Sequence, residues 1–137
     1  MADFRRYDDV KVGDRFSHAP IRFDVTEERV RAFLAAVGDD DPAYAPGTGV
    51  APSMLAAVYL VDLLKERNSP PGGIHAKQSI RFARRLRVGE SLSLIAEVVE
   101  KYVRRERPYV VSAFTAEDGA GETVASGRIV SIWGADP

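Results

Sequence analysis

The stretch VGDDDPAYAP sets three consecutive acids, Asp39, Asp40 and Asp41, before Pro42 and a tyrosine, Tyr44. Three acids so placed have three chemical uses: a solvated turn, an oxygen-ligand metal site, or half of an acid–base pair that moves a proton to or from water. The metal use fails on spacing, because no histidine or further spaced acid completes a ligand shell. Asp41 directly before Pro42 favours a tight turn, which gives Asp40 and Asp41 structural work. Asp39 is left as either a solvated turn residue or a carboxylate that binds water. Tyr44 is a phenol, a group with an ordinary pKa of about 10 and so a poor general base at neutral pH. It can donate a hydrogen bond to a carbonyl or fill a cavity. The two histidines are His18 and His75, and there is no cysteine, which removes disulfides, thiolate ligands and thiol nucleophiles. Ser53 lacks a G-x-S-x-G setting and a base, so it is expected to cap a helix rather than act as a nucleophile.

Elements must position these groups. Residues 12–25 alternate weakly and predict a first strand or extended arm. Thr26 has the character of an N-cap, with Glu27 and Glu28 at the positive end of the helix that follows. Val30, Phe33, Leu34 and Val37 mark one apolar helical face, and Gly38 ends it. The acids therefore emerge from a helix C-terminus into a Pro/Gly-rich segment, residues 39–52. From Ser53 a second helix runs to NSPPGG (68–73) and is apolar nearly all round, which predicts burial on most sides. Ile74, Ala76, Gln78, Ile80 and Phe82 alternate with polar residues as in a half-buried strand. Ser91–Glu100 forms another strand, with Leu92, Leu94, Ala96 and Val98 on one face. Pro108–Ala116 and Glu122–Trp133 flank the turn EDGAG (117–121), a hairpin signal. One buried helix wrapped by a long antiparallel sheet satisfies this order, an α+β fold.

With 137 residues, 45% hydrophobic and 28% charged, the chain has the composition of a single globular domain spanning 1–137. A net charge of −1 argues against a nucleic-acid partner. The longest apolar run, Met54–Leu64, falls short of the roughly 20 residues of a membrane span. MADFRRYDDVKVGD has no apolar h-region, so no signal peptide and a cytoplasmic location are expected.

VTEERVRAFLAAVGDDDPAY (25–44), VAPSML (50–55), IHAKQSIRFARRLRVGE (74–90) and the closing hairpin together resemble the MaoC-like hydratase/dehydratase hot-dog family. The closer resemblance is to its N-terminal-type branch, the non-catalytic halves of double-hot-dog acyl dehydratases. Catalytic members read roughly G-D-x-N-P-x-H across the loop after the first helix, with the acid and imidazole bracketing a water. Here Gly38-Asp39 matches G-D, Asp41-Pro42 stands for N-P, and Tyr44 occupies the histidine's place.

The resemblance implies a single hot-dog domain acting on (R)-3-hydroxyacyl or enoyl thioesters of coenzyme A or acyl-carrier protein, without a cofactor or metal. It implies Asp39 and Tyr44 at the catalytic position and the backbone N–H groups of Ser53 and Met54 as an oxyanion hole. His75 and Gln78 on the strand after the second helix become pocket candidates. Arg84 and Arg85, from SIRFARRLR, are candidate handles for the thioester carrier's phosphates. With the imidazole missing, the resemblance implies a substrate-holding subunit in a homodimer, or in a heterodimer with a complete MaoC-type chain. A non-enzymatic acyl-thioester binding subunit is the alternative. A hot-dog thioesterase is a weaker one, since it places its carboxylate on the buried helix, where only Asp62 stands near the far end.

Overall fold

A computed structural model describes residues 4–135; the extreme ends of the expected 1–137 domain, including the first residues of the N-terminal stretch, lie outside the described residues. β1 (Ile21–Asp24) leads into α1 (Glu27–Val37), and Thr26 caps that helix by accepting a hydrogen bond from the Arg29 N–H at 3.1 Å. Gly38 closes α1 in the left-handed region at φ 72°, with its N–H on the Ala35 carbonyl and the Asp39 N–H on Leu34. A glycine is needed there because a Cβ at positive φ is strained. β2 (Val50–Ala51), a single 3-10 turn (Ser53–Leu55) and α2 (Ala56–Lys65) follow. The remainder is β3 (Ile74–Phe82), β4 (Leu86–Arg87), β5 (Ser91–Arg104), β6 (Arg107–Glu117) and β7 (Thr123–Ile132).

β1, β5, β6, β7 and β3 form one antiparallel sheet in that order, and β2 pairs with β4. The face of the sheet carrying Leu92, Leu94, Ala96, Val98, Val110, Phe114 and Ile129 closes over Tyr59, Leu60 and Leu63 of α2, all buried. Each such leucine contributes about 2 kcal/mol by leaving water. Tyr59 meets Phe23 edge-to-face at 5.5 Å, and burial pushes its phenol up to about 12. The N-terminal arm covers one end of the sheet: Lys101 Nζ donates to the carbonyls of Tyr7 (2.6 Å) and Val10 (2.9 Å) and sits over the Tyr7 ring. This is the α+β helix-in-sheet architecture that the pattern predicts.

Five local expectations change. The first strand is confined to Ile21–Asp24, with a lone bridge from Arg15 to Glu97 in place of a continuous arm. Val37, expected on the apolar face of α1, is the last residue of that helix and is exposed. Ser53 caps nothing: Pro52 precedes the 3-10 turn, α2 begins at Ala56, and neither start has a side-chain cap. α2 is not buried all round, since Val58 (36%) and Val61 (49%) are left exposed on its outer side. Nor is β3 half-buried. It is an edge strand, exposed on both faces apart from the partly buried Ile80, and a bulge between His75 and Lys77 breaks the strict alternation.

The run KYVRRER (101–107) forms the tip of a hairpin of 14- and 11-residue strands joined at Arg105-Glu106. Both loop residues have positive φ (51° and 63°), as a two-residue hairpin turn demands, yet neither is Gly or Asn. The stacked rings of Tyr102 and Tyr109, 4.9 Å apart and 7° from parallel, clamp the strands just inside it. Replacing Arg105-Glu106 with Asn-Gly is expected to stabilise the protein by about 1 kcal/mol by removing the left-handed penalty. Thermal melts of the double variant test this, with a gain of about 4 °C expected.

Candidate active site

α1 ends at the mouth of a cleft of about 450 Å³ lined by Phe33, Val37, Asp39, Tyr44, Pro52, Ser53, Met54 and Ala57. Its walls are largely apolar, and its polar groups come from the acidic loop and the turn before α2. Local hydrogen bonds shape that loop. The Asp39 carboxylate accepts from the Asp41 N–H and the Asp41 carboxylate from the Ala43 N–H, each at 2.9 Å. Asp41 thereby caps the short turn Pro42–Tyr44, the structural work expected of it. Only Asp39 Oδ1 is engaged in this way, so its carboxylate keeps acceptor capacity for a molecule in the cleft.

Tyr44 is half-buried against the core, and its carbonyl accepts a hydrogen bond from Arg31 Nη2. Arg31 also pairs with Glu27, one turn earlier, at 3.2 Å. Arg31 thus ties the loop back to α1 and holds Tyr44 at the cleft. The Glu27/Arg31 spacing is visible in the sequence as an i, i+4 pair, but the bond to a carbonyl thirteen residues on is not. On the opposite wall, β2 pairs with β4 and delivers Pro52 and the 3-10 turn. The N–H groups of Ser53 and Met54 lead that turn, where the first donors have no acceptor within the helix. The cleft therefore brings together a carboxylate residue, a phenol residue and the two residues that lead the turn, among apolar walls. Such groups can polarise a carbonyl and hold a water.

Four of the eight expected site residues meet here: Asp39, Tyr44, Ser53 and Met54. The other four do not line this cleft. His75 and Gln78 lie on exposed β3, paired in register with Ser131 and Ile129. Arg85 is exposed beside β4. Arg84 is held by its own chain, bidentate on Glu90 (2.7 and 3.1 Å), with further bonds to Asp118 at 3.1 Å and the Arg85 carbonyl at 2.7 Å. These contacts raise the Arg84 pKa, and they fasten the β3–β4 connection to the β6–β7 turn. Backbone N–H groups from Glu122, then the Arg84 guanidinium, hold the Asp118 carboxyl below the usual carboxylate range. A depressed folded pKa makes this stabilisation present above about pH 4 and lost as the pH falls below it. Melting wild type and Asp118→Asn across pH is expected to show a gap that is full at neutral pH and closes on acidification. Among the described residues, no group of three or more histidines and acids is placed to hold a metal. Nor is any helix there long and apolar enough to cross a membrane.

The family described as the FAS1-like dehydratase domain region matches residues 10–126. No curated protein matches the chain. Among solved structures, the unliganded R-hydratase PhaJ1 of Pseudomonas aeruginosa is 26% identical, with a TM-score of 0.78 over 96% of this chain and 86% of that one. The MaoC-like dehydratase of Rhodospirillum rubrum is 22% identical, with a TM-score of 0.70 over 95% and 97%. A chain of the C-terminally truncated HadBC (3R-hydroxyacyl-ACP dehydratase) complex of Mycobacterium tuberculosis is 21% identical, with a TM-score of 0.74 over 90% and 96%.

Proposed function

Because the chain belongs to the FAS1-like dehydratase region and has the MaoC-like hot-dog fold, we propose that it is an acyl-thioester-holding subunit of a hydratase/dehydratase. Its substrates in this reading are (R)-3-hydroxyacyl or enoyl groups carried on coenzyme A or acyl-carrier protein. One observation carries the reading: Asp39 and Tyr44 share one apolar-walled cleft with Ser53 and Met54, the first residues of the turn before α2. The thioester carbonyl docks on those donors, the acyl chain runs along Phe33, Val37 and Ala57, and the Asp39 carboxylate holds a water. Tyr44 fills the imidazole's place and donates to substrate rather than moving the proton. A complete partner chain supplies the histidine and the turnover. The HadBC complex, to one chain of which this one is similar, is consistent with that arrangement. We further propose that the whole chain is one domain, which pairs through its open sheet edge.

Crotonyl-CoA tests this. The purified chain is expected to bind it by calorimetry, to lose that binding on Ala57→Trp, and to leave the enoyl absorbance unchanged. Turnover by the chain alone, abolished by Asp39→Asn, would make it a self-sufficient hydratase instead. Hydrolysis of the thioester would move it to the thioesterases. No binding at all would sink the reading.

A further inference from the structure

We infer that the open edge of β3 is built to pair with a different chain, one of the same fold whose facing strand carries carboxylates, rather than with a second copy of itself. This rests on the subunit reading above and names the kind of partner it needs.

β3 ends the sheet with its outer edge unpaired. A nine-residue edge strand, with Ile74 (48%) and Phe82 (36%) exposed at its two ends, calls for a cover. Its charges say which. β3 carries His75, Lys77 and Arg81, the adjoining β7 carries Arg128, and neither strand contains an acid. Over the whole chain 20 acids balance 19 lysines and arginines, so this acid-free margin is a local cationic excess. The register puts Lys77, Ser79 and Arg81 on one face beside Arg128. A trough on that face also holds Arg104, against the single carboxylate of Glu100. On the other face, His75 lies opposite Ser131, whose hydroxyl accepts from the half-buried Arg67 at 2.6 Å. Arg67 makes no ion pair with a described residue, and Asp62 on α2 is taken by Lys65 at 3.9 Å.

Pairing β3 with its own copy about a two-fold axis gathers both sets of cations into one seam. Centred on Ser79, Lys77 stands directly opposite Arg81 of the second copy, twice. Centred on Gln78 or Ile80, the same cations become diagonal neighbours. Like charges directly opposite destabilise a strand pair, and opposite charges support it. Carboxylates on the facing strand turn each clash into an attraction and give the pairing its specificity.

A charge-reversed copy of this chain serves as the probe. Wild type, Lys77→Glu/Arg81→Glu, and their equimolar mixture are compared by native mass spectrometry at low salt and by sedimentation at low and at about 0.5 M salt. The mixed dimer is expected to exceed either homodimer by about tenfold at low salt. Added salt should weaken the mixed dimer and strengthen the wild-type homodimer. A statistical mixture, a wild-type homodimer as tight as the mixed one, or no dimer in any arm would overturn the inference. Should the double variant not fold by circular dichroism, Arg81→Glu alone replaces it, with a smaller excess expected. Crotonyl-CoA binding by the wild-type chain is measured alongside. Its persistence with pairing unselective sinks only the partner inference, and its absence sinks the subunit reading.

Discussion

Tyr44→His is expected to give the isolated chain a hydration activity on crotonyl-CoA that wild type lacks, on the order of a hundredfold above the wild-type background. Position 44 is one of two polar side chains that the acidic loop presents to the cleft, and the other is Asp39. An imidazole there titrates near neutrality and can both accept and return a proton, which a phenol cannot do at that pH. The loop needs no rebuilding to receive it. Asp39 is set by the Asp41 N–H, Asp41 caps the next turn, and Arg31 holds residue 44 through its backbone carbonyl, which any side chain retains. Loss of enoyl absorbance gives the rate, and Tyr44→His/Asp39→Asn is the control that should return it to background. A folded Tyr44→His variant that binds crotonyl-CoA yet does not turn it over would show that more than the imidazole is missing. Activity that survives in the double variant would remove Asp39 from the pair.

Gly127→Ala is expected to cost about 3 kcal/mol or more, a large loss for a single methyl. Gly127 stands in the middle of β7, opposite Ile80 on β3 and Phe114 on β6. Its φ is ordinary for a strand, so the reason for glycine is room, not backbone freedom. A Cβ there would lie 1.8 Å from the Ser79 carbonyl oxygen and 2.9 Å from the Phe114 ring. The carbonyl belongs to a paired backbone and cannot swing aside as a flexible side chain would. The strands must part, and β3, with no neighbour on its other edge, is the one that leaves. Denaturant melts should show a large fall in midpoint, and hydrogen exchange should show early loss of protection along β3. Gly119→Ala, with nothing within 4 Å of the added carbon, is the matched control and is expected to be close to neutral. A melt of Gly127→Ala within about 1 kcal/mol of wild type would mean that the sheet relaxes around the methyl.

Much of this molecule is local chemistry and so was legible in the residues. Thr26, the acids after it and Gly38 bound α1 through bonds spanning three to four residues. Asp41 caps the turn beside it, and EDGAG closes the β6–β7 hairpin through Asp118, whose carboxylate takes the Ala120 and Glu122 N–H groups. The alternation of Leu92 to Val98 foretold its buried face, because a strand with one neighbour-packed side obeys a period of two. That Asp39, Tyr44, Ser53 and Met54 line one cleft was implied by the family resemblance and not by local chemistry. Tertiary structure alone decided the rest. Position in the sheet made β3 an edge, so the same alternation that marks a core strand lies open to solvent, and the bulge at its start exchanged its faces. The outward stripe of α2 is apolar in sequence like the inward one, and only the wrap of the sheet says which is covered. The Arg84 guanidinium found Asp118 34 residues away, and Arg31 found a carbonyl thirteen residues on. Nearest-neighbour patterns carry the elements of this protein; which side chain a folded arginine meets, and which strand is left without a neighbour, depend on contacts that exist only once the sheet has closed around the helix.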